Sequence, residues 1–287
     1  MHLTFMRNFK ALYHLIENTA TILRNSNSTS KRIKLTYIYF CLKIKGILLK
    51  NTKTQKLYGH TIHFPNYLLF LRSFEEIFVE KIYDFDPNTT LAPTIIDCGA
   101  NIGLASLYFK IKYPNSKIIC FEPVKETFRY LKMNLTKFSN VTLVNAALSE
   151  SKKLTYIYRP ASNAEGNLES SIFTSRFQAS KIIKEKVKGV RLSDYTKSLN
   201  VNFLKLDIEG AEGEVLNDLV KHRRLRKIKN IFLEYHSYRQ NSLAKILNIF
   251  EKNSFKIIQY GGAKPPFWWF KDKFYSVLVF AYKQPKN

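Results

Sequence analysis

From residue 94 onward, short apolar runs alternate with amphipathic segments. The apolar runs begin near residues 94, 117, 141, 202 and 231 and have the length of buried strands. Between them, apolar residues recur at helical spacing, as they do at Leu104–Phe109 and at Phe128, Leu131 and Leu135. Strands that alternate with helices predict βαβ units, and therefore an α/β fold with a largely parallel sheet.

The first part of the chain follows a different pattern. Residues 1–56 predict a helical extension in which a polar linker, residues 25–32, separates two apolar segments. The second segment, Leu35–Leu49, is interrupted by Lys43 and Lys45 and is too short to span a bilayer. It therefore either packs in a core or lies on a membrane interface, and core packing is our first expectation.

Residues 57–92 are predicted to lead into the main domain. The alternation in Lys56–Phe64 is typical of a strand, which we expect to form a hairpin with Gly46–Lys50. The apolar spacing in Phe74–Tyr83 predicts a helix that covers the ligand pocket.

The most informative stretch is Asp97–Gly103, with the sequence DCGANIG. It predicts the end of a strand, a tight loop and the start of a helix, an arrangement that binds nucleotide-type ligands. Glycine is needed where the backbone approaches a ligand closely or takes a positive φ. The acid at the strand end suits a ligand with a positive end, such as S-adenosylmethionine, although an ordinary Asp/Gly turn has the same letters.

A second acid follows the next apolar run. Glu122 comes 25 residues after Asp97, directly before Pro123. This spacing fits the carboxylate that hydrogen-bonds both ribose hydroxyls of a nucleotide-type ligand. Further on, the small side chain of Ala146 leaves room for an adenine ring. No acid nearby serves the adenine amine, so a backbone group or Ser149 must bind it.

These motifs occur in a fixed order along the chain. DCGANIG is followed by FEPVKETFRYLKMNL, LVNAALSE, FLKLDIEGAEGEVL and IFLEYH. Between about Thr94 and His236 they resemble the FkbM family of S-adenosylmethionine-dependent methyltransferases. The resemblance implies methylation of a hydroxyl on a sugar, a glycan or another small molecule.

The resemblance also implies the architecture of residues 93–287. It indicates a Rossmann-like class I methyltransferase domain with a seven-stranded, mostly parallel sheet. The strands expected at 255–260 and 274–282 would form its C-terminal antiparallel hairpin. We expect the cofactor S-adenosylmethionine to contact Asp97, Gly99, Ala100, Asn101, Gly103, Glu122, Pro123, Ala146 and Asp207.

Three acids follow the apolar run that begins near residue 202. Asp207 and Glu209 come at the end of the strand and in the loop after it, and Glu212 opens the next helix. A helix dipole favours an acid at its N-terminus, which accounts for Glu212 but not for Asp207. A cluster of this kind is costly unless cations, a substrate or protons relieve it.

The next strand ends in two further polar residues, Glu234 and His236. Because they are two positions apart, they lie on the same side of the strand. His236 is the better general base, since an unperturbed imidazole titrates near neutral pH, and Asp207 is the alternative. We therefore expect catalysis by His236, Asp207, Glu209 and Glu234. The reaction requires no metal ion, and the cluster of Asp207, Glu209 and Glu212 leaves a metal site open as an alternative.

The net charge leaves the partner open. The chain has 46 Lys and Arg against 22 Asp and Glu, a formal charge of +24. This excess suits RNA, an anionic membrane surface or an acidic glycan, or it reflects base composition. RNA methylation and a non-catalytic, membrane-associated role stay as alternatives, although we see no separate RNA-binding module. Nothing indicates the oligomeric state.

The cysteines and the N-terminus predict a compartment. Cys41, Cys98 and Cys120 lack the spacing of a zinc site or of a disulfide framework. Charged residues interrupt the apolar pattern of residues 1–24, so no signal-peptide core forms. We expect a cytoplasmic protein, with peripheral contact at a membrane as a further expectation.

Two loops remain as candidate substrate contacts. Arg159–Gly189 is polar and irregular, and we expect it to touch the substrate or to form a mobile surface loop. Within it, the charged run Lys181–Lys188 predicts a solvated face. The aromatic segment Gly261–Phe270 packs on the N-terminal helices, stacks on a sugar or touches a membrane.

Overall fold

The structure is a computed structural model that describes residues 2–25, 28–49, 51–87, 90–160, 182–237, 242–260 and 276–284. The chain divides into two compact units, Met1–Asp84 and Phe85–Asn287. The boundaries predicted at residues 56 and 92 stay predictions. The aromatic segment Gly261–Phe270 lies outside the described residues.

The first unit contains helices and a small hairpin. Its elements are α1 (His2–Asn25), α2 (Thr29–Leu48), β1 (Thr54–Leu57), β2 (His60–His63), α3 (Tyr67–Phe74) and a π-helix (Glu75–Val79). The predicted linker at 25–32 is too long, because Thr29 already begins α2. None of the helices in the described ranges is both long enough and apolar enough to cross a bilayer.

The hairpin predicted between Gly46–Lys50 and Lys56–Phe64 is wrong. Gly46 lies inside α2, and the observed hairpin pairs β1 with β2 in antiparallel register. Its turn is formed by Tyr58 and Gly59, which both have positive φ. The turn was not predicted, because the spacing of apolar and polar residues does not show which residues take a positive φ.

The helix predicted for Phe74–Tyr83 begins earlier and ends earlier. It starts at Tyr67, where the side chain of Asn66 accepts hydrogen bonds from two backbone N–H groups of the first turn. From Glu75 to Val79 it widens into the π-helix. Lys81, which has a φ of 57°, lies just beyond the helix.

Within the described residues, the second unit contains a seven-stranded sheet and a separate three-stranded sheet. Its strands are β3 (Thr94–Cys98), β4 (Lys117–Phe121), β5 (Val141–Val144), β6 (Ala147–Leu148), β7 (Leu154–Pro160), β8 (Ile182–Val190), β9 (Val201–Leu206), β10 (Ile228–His236), β11 (Lys256–Tyr260) and β12 (Ser276–Tyr282). Its helices are α4 (Leu104–Lys112), α5 (Lys125–Leu135), α6 (Leu192–Tyr195), α7 (Glu212–Lys221) and α8 (Leu243–Lys252), with a 3₁₀ turn at Leu225–Lys227.

The strand order in the large sheet is β11-β12-β10-β9-β3-β4-β5. Strands β5, β4, β3, β9 and β10 are parallel to one another, and β12 runs antiparallel to both β10 and β11. The core strand β9 is buried at all six positions, as expected for a central strand covered on both faces. The predicted class, an α/β Rossmann-like sheet with a C-terminal antiparallel hairpin, is confirmed.

The prediction of one irregular stretch from Arg159 to Gly189 is partly wrong. Strands β6, β8 and β7 form a separate three-stranded sheet, in which β7 pairs antiparallel with residues 182–188 of β8 and β6 pairs parallel with the last two residues of β8. The charged run at 181–188 is therefore mostly strand, with alternating exposed and half-buried residues before Val187. Residues 161–181 lie outside the described ranges, so substrate contact there stays a prediction.

The sheet topology determines where a ligand can bind. From β3 the chain moves outward through β4 and β5, and later strands lie on the other side of β3, starting with β9. The order reverses between β3 and β9, and ligands of such sheets bind at this switch point, beyond the carboxyl ends of the strands.

Candidate active site

The loop between β3 and α4 is held by backbone hydrogen bonds. The N–H groups of Gly99 and Ala100 both donate to the carbonyl of Phe121, at 3.0 and 2.9 Å. Asn101 has a φ of 52°, and its side-chain oxygen accepts the N–H of Ile102 at 2.7 Å. The loop is therefore fixed against the end of β4 before any ligand arrives.

Gly99 lies where no other residue fits. A Cβ built on it would be 1.8 Å from the carbonyl oxygen of Asp207, and its φ is +79°. The two strand ends β3 and β9 thus approach each other through this glycine. Gly103, with a φ of +88°, has a related role, because a Cβ there would meet Leu131 and Leu135 of α5.

Glu122 follows β4 and is almost fully buried. One carboxylate oxygen accepts the N–H of Asn101 at 3.0 Å, and the other accepts the N–H of Val124 at 2.9 Å. Burial raises the pKa of Glu122 to about 7, although these two hydrogen bonds and Lys205 oppose the shift. Each oxygen retains capacity for a second hydrogen bond, as a diol ligand requires.

A pocket that opens to solvent lies at these strand ends. Of the residues expected to bind the cofactor, those that line it are Gly99, Asn101, Glu122, Pro123, Ala146 and Asp207. The structure places Asp97, Ala100 and Gly103 away from the lining. The hydrophobic side chains of Phe121, Leu148 and Ile157 also line the pocket, beside Ala146.

The buried ion cluster next to the pocket is centred on Lys205. Its Nζ lies 3.3 Å from a carboxylate oxygen of Asp97 and 3.3 Å from one of Asp207. It also donates to the carbonyl of Gly99 at 2.9 Å. Asp97 is fully buried and additionally accepts the hydroxyl of Ser106 at 2.7 Å. Asp97 therefore fixes the strand end through Lys205, and Asp207 faces the pocket.

The charge state of Lys205 follows from its neighbours. Burial alone would lower its pKa, but the carboxylates of Asp207 and Asp97 outweigh burial and raise the pKa above its ordinary value. The ammonium is therefore charged. Lys205 was not among the residues expected from the sequence, because one lysine in an apolar run carries no motif. The available signal was its place two residues before Asp207, in a strand expected to lie beside the one that ends at Asp97.

A second cluster surrounds His236 at the end of β10. Its Nε2 lies 2.9 Å from Glu209 and 3.6 Å from Glu234, and its Nδ1 lies 3.1 Å from Glu212. Glu212 is fully buried and also accepts the N–H of Gly210 at 2.9 Å. Glu212 is thus more than a favourable charge at the start of α7, since it orients the imidazole.

The catalytic candidates differ in their access to the pocket. Asp207 and Glu209 line it, and His236 contacts it through Glu209. Glu209 has a φ of 62°, and such strained backbone is frequent at functional sites. Burial lowers the pKa of His236, but Glu212, Asp207 and Glu234 outweigh burial, and the pKa is raised.

Asp207, Glu209 and His236 also place one metal-ligand-type atom each within 4.8 Å of the others. The same side chains also form ion pairs, Asp207 with Lys205 and His236 with Glu209. The expectation of a metal-free reaction stays a prediction.

Together, the doubly wound sheet, the glycine loop and the acid after the second strand define a nucleotide-type binding site of the class I methyltransferase type. Residues 97–257 match the profile of the methyltransferase FkbM domain. The chain belongs to the FkbM methyltransferase family, and the predicted cofactor, S-adenosylmethionine, is confirmed as that of the class.

Two curated relatives show the extent of the similarity. Methyltransferase 1 of Beauveria bassiana is 34% identical over 164 residues, which cover 50% of this chain and 65% of that protein. Methyltransferase sdnD of Sordaria araneosa is 32% identical over 195 residues, which cover 56% of this chain and 73% of that protein. The chain thus spans somewhat less than two thirds of the first relative.

Among solved structures, the chain is similar to methyltransferase FkbM from Methylobacillus flagellatus. The sequence identity is 13% and the TM-score is 0.43, and the alignment covers 74% of this chain and 53% of that one.

Proposed function

We propose that this protein transfers a methyl group from S-adenosylmethionine to a hydroxyl of a sugar, a glycan or another small molecule. The observation that carries the proposal is the pairing of His236 with Glu209, which brings a base to the edge of the cofactor pocket. Carboxylates at this edge are acceptors for the hydroxyls of a polyol substrate.

The pocket residues provide a complementary surface for the cofactor. Glu122 would accept the ribose hydroxyls, and the small side chain of Ala146 leaves space for the adenine. The loop from Gly99 to Asn101 would approach the rest of the molecule, with Asp207 near its positive end. When bound, S-adenosylmethionine supplies an electrophilic methyl group on its sulfonium.

The protein's part in the reaction is alignment and proton removal. His236, with its pKa raised by three acids, is the stronger base of the two candidates. Asp207 is already paired with the ammonium of Lys205. In the structure Nε2 lies against the Glu209 carboxylate. The acceptor hydroxyl would therefore take the place of Glu209 at Nε2 of neutral His236, whose Nδ1–H is held by Glu212, and would give its proton to Nε2. Most of the acceleration comes from proximity.

The cofactor step is tested by titration calorimetry with S-adenosylmethionine on the wild type, Glu122→Ala and Glu122→Gln. We expect both substitutions to weaken binding roughly 10- to 100-fold, since a hydrogen bond to a charged group contributes about 1.5–3 kcal/mol. Because the pKa of Glu122 is about 7 and hydroxyls donate to its ionised form, wild-type affinity should fall as the pH drops below 7. Glu122→Gln should remove this pH dependence.

Circular dichroism of each variant serves as the folding control. A folded wild type that does not bind S-adenosylmethionine would overturn the proposal. The acceptor is then sought by transfer of labelled methyl from S-adenosylmethionine to glycans and to lipid-linked sugars. An O-methyl ether in the product, identified by NMR, supports the reaction, whereas label on carbon or nitrogen rejects it.

RNA is the competing acceptor, favoured by the net charge of +24. It predicts label transfer to RNA and binding that weakens steeply with salt. Both assays use the same enzyme preparation, so one experiment compares the two acceptors. We further propose a cytoplasmic location, where the exposed Cys41 would persist as a free thiol.

A further inference from the structure

Helix α2 has two apolar faces on opposite sides. The face that packs within the first unit consists of Leu35, Tyr39, Leu42 and Gly46, spaced four, three and four residues apart. Gly46 permits close packing, because a Cβ there would lie 3.2 Å from the ring of Tyr67, and the hydroxyl of Tyr67 donates to the carbonyl of Leu42 at 2.9 Å.

The opposite face of α2 is exposed and equally apolar. Its members, again at helical spacing, are Ile33, Tyr37, Phe40, Ile44, Ile47 and Leu48. Tyr37 is 70% exposed and Ile47 is 73% exposed. Scattered exposed apolar residues are normal, but a continuous stripe along one helix marks an interaction surface. We call these six residues the outer face of α2.

Cations lie on both sides of the outer face. Arg32 and Lys43 are on one flank, and Lys34 and Lys45 are on the other, as their positions on a helical projection require. Helix α2 contains no acid at all. The sequence around the helix is also purely basic, since the chain has no acidic residue between Glu17 and Glu75 but ten lysines and arginines.

Some of these cations have partners within the unit. Lys43 pairs with Glu75, and Lys45 donates to the side chain of Gln55 at 2.7 Å. Lys34 lies over the ring of Tyr58 at 5.3 Å but remains exposed, as does Lys31. The positive potential beside the outer face is therefore reduced at Lys43 and retained at the N-terminal half of the helix.

We propose that the outer face of α2 is a docking surface for an anionic membrane, on which the helix lies in the plane of the interface. An apolar stripe flanked by lysine and arginine is the pattern of helices that bury one face at the headgroup boundary. Aliphatic side chains and Tyr37 enter the acyl region, while the flanking cations meet anionic headgroups. The proposal is independent of the cofactor site.

Two other occupants fit the surface less well. A second copy of the chain would bring two acid-free helices together, and their like charges would repel. RNA would satisfy the cations but would leave the aliphatic side chains of Ile33, Ile44 and Ile47 without a matching surface. An anionic lipid surface satisfies both properties together.

The test is flotation of the full chain with vesicles of phosphatidylcholine, alone or mixed with phosphatidylglycerol. We expect binding to the anionic vesicles that weakens with salt and little binding to phosphatidylcholine alone. Tyr37→Asp/Ile44→Asp should lower the partition coefficient at least tenfold. Lys34→Gln should lower it by roughly fivefold at low salt.

Leu91→Asp/Met133→Asp is the matched control, because both residues are exposed apolar positions outside the first unit and the charge change is identical. This variant should bind vesicles almost as the wild type does. Equal loss in the control and in Tyr37→Asp/Ile44→Asp would overturn the proposal, since net charge alone would then explain attachment.

Three further results would also overturn the proposal. The first is a folded wild type that does not float with anionic vesicles. The second is a dimer, detected by analytical ultracentrifugation, that Tyr37→Asp/Ile44→Asp dissociates. The third is a gel shift with RNA that the same variant abolishes. Circular dichroism and S-adenosylmethionine titration of each variant establish that the fold and the second unit are intact.

Discussion

Single buried charges organise the site at the residue scale. Lys205 joins Asp97 of β3 to Asp207 after β9, so two carboxylates share one ammonium, which also donates a hydrogen bond to the loop carbonyl of Gly99. Removing one partner of a buried ion pair leaves the other charge uncompensated. This costs more stability than the intact pair contributes.

Replacement of Lys205 should therefore damage both stability and cofactor binding. We expect Lys205→Met to destabilise the protein by about 3–5 kcal/mol in urea unfolding, because Asp97 is left buried without its cation. Asp97→Asn/Lys205→Met should recover part of that stability but not the affinity for S-adenosylmethionine. Lys153→Met, at an exposed lysine, is the control. A Lys205→Met variant as stable as the control would contradict this account.

His236 should titrate above its ordinary pKa, and Glu212 should be one cause. Glu212→Gln keeps an oxygen that can accept from Nδ1 but removes the negative charge, so the pKa of His236 should fall. NMR titration of labelled histidine measures this directly, with His236→Asn to assign the signal. An unchanged pKa in Glu212→Gln would show that Glu212 does not set the basicity.

The same shift predicts the pH dependence of methyl transfer. Proton removal requires neutral His236, so the rate should rise with pH through the raised pKa, and this limb should move to lower pH in Glu212→Gln. His236→Asn should lower the rate by about 10²- to 10⁴-fold, the usual contribution of a general base. A limb that persists in His236→Asn would assign it to another group.

At the scale of elements, the loop after β3 depends on one close approach. Gly99 and Gly59 have nearly the same φ, +79° and +81°, but only Gly99 has a neighbour in the place of a Cβ. Comparing alanine at the two sites therefore separates the backbone strain from the steric clash.

Gly59→Ala should cost about 1–2 kcal/mol, the cost of an L-residue at a left-handed φ, and should leave cofactor binding intact. Gly99→Ala should cost more and should abolish S-adenosylmethionine binding, because the Cβ would overlap the carbonyl oxygen of Asp207. Urea unfolding and calorimetry measure both effects. Equal costs at the two glycines would mean that β9 moves away readily and that the approach is not needed.

The elements of the second unit were predictable because their signals are local. The strand predicted from Thr94 to Asp97 is observed at Thr94–Cys98, and β10 differs mainly by an earlier start at Ile228. The element predictions failed where a backbone conformation or a strand pairing, and not the residue pattern, decided the structure. The positive φ of Tyr58 moved the hairpin, and the pairing of β7 with β8 made strands of a sequence that is too charged to show a strand pattern.

At the scale of the whole molecule, the pocket-lining residues among those that the structure describes all belong to the second unit. The outer face of α2 belongs to the first. Cofactor binding and the proposed membrane attachment are thus assigned to different parts of the chain.

Residues 85–287 produced alone should consequently bind S-adenosylmethionine with an unchanged dissociation constant. The same fragment should not float with anionic vesicles, because α2 is missing. Calorimetry and flotation measure the two properties, and circular dichroism verifies folding. A folded fragment without cofactor affinity would show that the first unit contributes to the pocket.

The sequence by itself determined the fold class and the family, and it named six expected cofactor contacts among the residues that line the pocket. These depend on local patterns, such as the glycine loop at 97–103 and the acid at Glu122. The residues that form one strand end are neighbours in the sequence, so the chemistry of that strand end can be predicted without the tertiary structure.

Only the tertiary structure decided how the charges are paired and which residues face the pocket. It showed that Asp97 is turned toward Lys205, that Glu212 holds His236 and that Glu209 stands between His236 and the ligand space. These contacts join side chains from different strands and helices. Such distances depend on how the strands are ordered and packed, and the sequence of any one strand does not contain them.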